Sequence, residues 1–108
     1  MVNTTLYAKH TEKAGDLIDY NLTLEYYMIT EPLCKEYSDM LRYGVKIKMI
    51  SELPDGEKQE EAKEIRDIFY REKDAEDFIS TLFKNKVTPT HFREVTENYI
   101  SEKIRVMN

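Results

Sequence analysis

The sequence predicts an α+β fold, an antiparallel sheet of three to four strands followed by two C-terminal helices packed on one face. Three observations carry this. Stretches in the first half alternate apolar and polar residues at a period of two, the mark of half-buried strands. The last third changes period: Ala75, Phe78, Ile79, Leu82 and Phe83 recur at spacings of three and four and stack as one apolar stripe on a helix. Between that stripe and the next, Thr88 offers a side-chain oxygen to open amides. Pro89 takes the first helical position, where a missing N–H is no loss. Strands first and helices last is the order in which helices segregate to one side of a sheet.

In order, residues 2–10 alternate Val2, Leu6 and Ala8 with Asn3, Thr5, Tyr7 and Lys9 and read as a first strand. Residues 11–19 hold Gly15 and Asp16 and read as a hairpin connection. Residues 20–30 give the clearest strand, with Leu22, Leu24, Tyr26 and Met28 set against Thr23, Glu25, Tyr27 and Ile29. Residues 31–39, with Pro32, read as a loop. Residues 40–50 alternate again, Tyr43, Val45, Ile47 and Met49 against Arg42, Gly44, Lys46 and Lys48. Residues 51–61 hold Pro54-Asp55-Gly56 and a charged run and read as a loop. Residues 62–70 fit two periods. Ala62, Ile65 and Phe69 suit a helix, whereas Ile65, Ile68, Phe69 and Tyr70 suit a strand, and a fourth strand is the reading taken. Helices are expected over about 72–86 and 89–104, the second continued by Phe92, Val95, Thr96, Tyr99 and Ile104.

Core parity also predicts a register. If the second and third strands are antiparallel neighbours, Leu24 or Tyr26 lies across from Val45 or Ile47. Glu25 then sits beside Lys46 or Lys48 on the outer face, with Gly44 near Tyr27. That outer face collects Tyr7, Tyr27 and Ile29 with Thr5, Thr23, Glu25, Lys46 and Lys48.

With 108 residues the chain supports one core, and a single domain over 1–108 is expected. A charged fraction of 34% and a mean hydropathy of -0.65 argue against an integral membrane protein. Residues 1–5 show no export signal, so a cytoplasmic location is expected. The net charge is -5, concentrated in the middle: 51–78 carries -6, while 79–108 carries +2. A nucleic-acid partner is disfavoured by that acidity.

Few residues suggest chemistry. His91 lies in the first turn of the last helix, where it is read as a fixture of the helix start and, alternatively, as a base or ligand in a cleft between helices and sheet. His10 and Cys34 lack the close spacing of a zinc motif, and one cysteine excludes an internal disulfide. Asp55, Glu57, Glu60, Glu61 and Glu64 lack the ligand pattern of a calcium loop. Gly15, Gly44 and Gly56 are too scattered for a phosphate loop. The final helix pair invites comparison with a helix-turn-helix, but Glu94 and Glu97 would meet phosphates. No catalytic, cofactor or metal residue is assigned. The aromatic and charged outer face suits protein contact better, with Tyr7, Tyr27 and Lys46 as candidate partner-binding residues for a protein partner or self-association.

The runs Tyr20-Asn21-Leu22-Thr23-Leu24-Glu25-Tyr26-Tyr27, Tyr43-Gly44-Val45-Lys46-Ile47 and Val87-Thr88-Pro89-Thr90-His91-Phe92-Arg93-Glu94-Val95 together resemble a small family of uncharacterised proteins, a domain of unknown function from clostridial and related anaerobic Gram-positive bacteria. The Val-x-Pro-x-His stretch is the most specific part. The resemblance implies a bacterial cytoplasmic setting and no activity. The expected function is therefore a small protein-binding or regulatory module without catalytic activity.

Overall fold

We describe residues 2–15, 20–32 and 40–107 of a computed structural model of the chain, with side chains up to residue 102. The order is β1 (Asn3–Glu12), β2 (Asn21–Pro32), β3 (Leu41–Glu52), β4 (Lys58–Phe69), α1 (Glu72–Lys84) and α2 (Pro89–Met107). The strands form one antiparallel meander in the order β1-β2-β3-β4. This is the expected α+β arrangement, with four strands. Leu24, Tyr26, Met28, Tyr43, Val45 and Ile47 face the helices and meet Ala75, Phe78, Ile79, Leu82, Val87 and Phe92 in one buried core. Phe78 of α1 packs on Phe69 of β4 and Tyr99 of α2, with ring centroids 5.5 and 4.7 Å away, and so joins the three elements. Phe83 completes the stripe less fully than its spacing suggests. It is 39% exposed and meets Tyr26 edge-on at the margin of the core.

The β2–β3 register agrees with core parity: Tyr26 lies opposite Ile47, and Glu25 opposite Lys48. Several boundaries move. The loop expected over 51–61 shrinks to a turn, closed by Gly56 N–H donating to the Leu53 carbonyl at 2.9 Å, with Gly56 at φ 90°. Lys58 to Glu61 are strand because they lie on the outermost strand, where charged side chains reach water. Glu31 and Pro32, expected in a loop, extend β2 opposite Arg42 and Leu41. Thr11 and Glu12 extend β1. Cys34 and the rest of 33–39, like Asp16 within 16–19, lie outside the described residues.

Two bulges rearrange the edges. In β1 the register slips between Leu6 and Ala8, leaving Tyr7 without a partner in β2. Leu6 therefore lies opposite Tyr27 on the helix-free face, while Thr5, opposite Met28, turns toward the helices. The simple alternation expected for residues 2–10 had exchanged these two. In β4, Arg66, Asp67 and Ile68 bulge between the pairs Val45–Ile65 and Tyr43–Phe69. Asp67 takes a left-handed φ of 60°. The extra residues let Ile65, Ile68 and Phe69 all pack against the core cluster, although strict alternation would send Ile68 the other way. Their spacing of three and four, which mimics a helix in the sequence, is the imprint of this bulge.

The end of α1 is closed by backbone bonds and by Asn85, whose Nδ2 donates to the Thr81 carbonyl at 2.9 Å. Val87 N–H donates to the Leu82 carbonyl at 3.0 Å and Lys86 N–H to the Phe83 carbonyl at 3.1 Å, with Lys86 at φ 51°. That is a Schellman closure with lysine where glycine is usual. Val87 is held further by the Tyr26 hydroxyl, which donates to its carbonyl at 2.9 Å inside the core. Burial pushes the Tyr26 phenol up to about 12. Burial, then the Tyr27 hydroxyl's hydrogen bond to Glu25, does the same for Tyr27. Both phenols stay neutral in the folded protein where the unfolded chain ionises, near pH 10. The stability they confer is whole below about pH 10 and is lost as pH rises toward about 12. Tyr26→Phe should cost about 1 to 3 kcal/mol at neutral pH, because the Val87 carbonyl loses its partner. It should also make the alkaline loss shallower. Urea unfolding at about pH 7 and about pH 11 checks both effects; equal stability of the two proteins at neutral pH would show that the bond contributes nothing.

Candidate functional site

The helix-free face of the sheet is laddered with charge. Lys9 lies opposite Glu25, and Glu25 opposite Lys48; Lys48 also pairs with Glu60 of β4 at 3.5 Å. One rung away, Lys46 faces Tyr27 across the strands and places Nζ 5.8 Å from its ring centroid. The Tyr27 hydroxyl donates to Glu25 Oε1 at 2.7 Å. Tyr27 and Lys46 share the outer face that core parity predicts, where the register sets them directly opposite, and each already has partners within the protein. Tyr7 is not in their row. It sits at the β1 bulge, 44% exposed. Lys73 of α1 has its pKa raised chiefly by its hydrogen bond to Asp77, and the Tyr7 phenol adds to the shift, which places Tyr7 within electrostatic reach of the helix layer.

At one end of this face Glu31 is buried between two arginines. Its Oε1 lies 3.3 Å from Arg42 Nε, and its Oε2 4.0 Å from Arg66 Nη1. Arg42 Nη1 donates to Asp67 at 3.3 Å, and Arg66 Nε to Glu64 at 3.0 Å. Arg42 Nε is near its carboxylate but not aligned for a hydrogen bond. Each carboxylate has a cation, and the cluster pins the β4 bulge against the ends of β2 and β3. We read it as structural.

Gly44 lies beside this cluster for a reason the sequence does not show. A Cβ there would come within 2.7 Å of Arg66 Cα and closer still to the Ile65 carbonyl oxygen. The bulged β4 backbone occupies the space. Gly44 faces Ile29, with Tyr27 on the next rung, so it lies near Tyr27 as expected; the close neighbour is β4.

His91 is exposed and gives its backbone N–H to the Thr88 carbonyl at 3.1 Å, in the first turn of α2. It does not line the concavity that α2 forms with the sheet. That concavity is an open groove of about 540 Å³ between β4 and α2. Ile65, Ile68, Phe92 and Ile100 give it an apolar floor, and Lys63, Glu64, Arg93 and Glu97 form its rim. Thr96 also lines it, but its hydroxyl donates to the Phe92 carbonyl at 2.7 Å. Arg93 pairs with Glu97 at 3.3 Å one turn along the helix. The groove offers shape and apolar surface, with charge at the edges. Sequence reasoning missed it because its floor is drawn from two elements, and Ile68 joins it through the bulge. Among the described residues no three His, Cys, Asp or Glu side chains are grouped to hold a metal ion. No described helix is long and apolar enough to cross a membrane.

No curated protein and no solved structure matches the chain. A family profile does, over residues 5–102, which takes in most of β1, the other three strands, α1 and most of α2. The chain therefore belongs to this family, described as a family of unknown function, DUF6514.

Proposed function

We propose that this chain is a small protein-binding module without catalytic activity, working in a bacterial cytoplasm, and that its binding site is the groove between β4 and α2. The observation that carries the reading is the composition of that groove, with aliphatic and aromatic side chains below and charges at the rim. Such a site suits the apolar side chains of a partner segment. The Tyr27–Lys46 face is a weaker candidate, since its charges and phenol are engaged with one another. The alternative, an enzyme or ligand-binding domain built on His91, draws less support because His91 stands on the exposed side of α2, away from the groove. The bacterial cytoplasmic setting rests on the resemblance of the sequence to clostridial proteins.

The test is selection from a random peptide library against the whole chain, with binding followed by amide chemical shifts. Selected peptides should carry apolar residues and shift the amides of Ile65, Ile68, Phe92 and Thr96. They should bind Ile100→Glu at least about tenfold more weakly, the cost of setting a charge against an apolar side chain. Ile100 is partly exposed, so the variant should keep the wild-type fold. Peptides that bind wild type and variant equally, or shift another surface, would overturn the assignment.

A further inference from the structure

The outermost strands treat their free edges differently. β4 carries a charge at seven of its twelve positions. An approaching strand meets like and unlike charges at close spacing there, the usual protection of an edge. β1 has no such protection in its first half. The run Val2-Asn3-Thr4-Thr5-Leu6-Tyr7-Ala8 is uncharged, and Val2 and Leu6 are 42% and 48% exposed.

We infer that β1 pairs antiparallel with β1 of a second copy of this chain, about a two-fold axis through Thr4. Such an axis stands perpendicular to the sheet and keeps each face on its own side, so residues facing one another must share parity. Centred on Thr4, the pairing sets Val2 of one copy against Leu6 of the other, Thr4 against Thr4, and Asn3 against Thr5. Each of these pairs is uncharged, and threonine pairs are favourable across strands. Centring on Lys9 would oppose two lysines. Centring on Leu6 would draw the Tyr7 bulge into the ladder and set Asn3 against Lys9.

Two features of the fold agree with the Thr4 centre. Leu6 lies opposite Tyr27, and Tyr27 opposite Lys46, so the Leu6–Tyr27 contact on the helix-free face would run on across the seam into Val2 of the second copy. The bulge at Tyr7 ends the ladder, and the two-fold axis closes it, so the product is a dimer and not a fibre. A pairing limited to Val2–Leu6 gives a small interface, so the dimer should be reversible. The seam is on the opposite edge of the sheet from the groove, and the inference stands or falls independently of the groove's function.

Sedimentation equilibrium of the whole chain over a wide range of concentration tests it. The wild type should show a reversible monomer–dimer equilibrium. Val2→Glu and Leu6→Lys should each raise its dissociation constant at least about tenfold, since each change enters the symmetric seam twice. The double variant V2E/L6K should recover most of the loss, because the introduced charges then face each other. Both positions of change are exposed side chains, so thermal melting of the monomer should stay near wild type. A wild type that remains monomeric throughout, a dimer indifferent to either single change, or a double variant no tighter than the singles would overturn the pairing.

Discussion

Gly44→Ala is expected to destabilise the protein by about 2 to 3 kcal/mol, although it adds a single methyl group to a strand. The space is already taken by backbone: Arg66 Cα would lie 2.7 Å from the new carbon, with the Ile65 carbonyl carbon at 3.2 Å. A side chain in the way could rotate aside, but a main chain held in its ladder by Val45–Ile65 and Tyr43–Phe69 has to shift as a segment. The shift would disturb the bulge that brings Ile65 and Ile68 to the floor of the groove. Gly15→Ala makes a fair control, because among the described residues a Cβ there meets nothing nearer than the Lys13 carbonyl oxygen at 3.9 Å. It should stay within about 0.5 kcal/mol of wild type. Urea midpoints measure the contrast, and equal values would show that β4 yields freely at the bulge.

Phe78→Asp is expected to abolish cooperative unfolding altogether. Phe78 is fully buried and holds β4, α1 and α2 together through Phe69 and Tyr99. Losing the ring costs about 3 to 5 kcal/mol, and a carboxylate without a partner adds several more. A domain of this size has about 5 to 15 kcal/mol to lose. Far-ultraviolet circular dichroism during heating would show a featureless slope. Phe83→Asp, on the same helix but 39% exposed, should keep a sigmoidal transition at lower temperature. A cooperative melt in the Phe78 variant would mean that the aromatic cluster is dispensable.

The fold class was readable because two periods dominate the chain and do not overlap. Leu22, Leu24, Tyr26 and Met28 announce a strand, while Phe78, Ile79 and Leu82 announce a helix. The β2–β3 register was readable for a related reason: one face is buried, so parity leaves few choices. What failed to show in the sequence depends on broken periods. Tyr7 exchanges the faces of Thr5 and Leu6 by standing outside the ladder, and nothing in its own chemistry marks it as a bulge. Asp67 does the same at Ile65 and Ile68, producing a spacing that a helix would also produce. The groove followed from that second bulge, so its residues could not be grouped beforehand. Lys86 hid the close of α1, since the left-handed position there is more often glycine. Tyr27 and Lys46 could be placed on one face in advance because they lie in regular strand, while Tyr7 could not.

The meander has a bearing on how the chain is made. Each strand pairs with its neighbour in sequence, whereas the Tyr26–Val87 bond joins groups 61 residues apart. Synthesis proceeds from the N-terminus, so all four strands leave the ribosome before the apolar stripe of α1 and the Val87 carbonyl have emerged from it. For that interval Tyr26, Val45 and Ile47 form a bare oily surface on a nascent sheet. The charges crowding β4, the strand nearest the exit tunnel, then keep neighbouring nascent chains from joining that edge until the helices arrive to cover the surface.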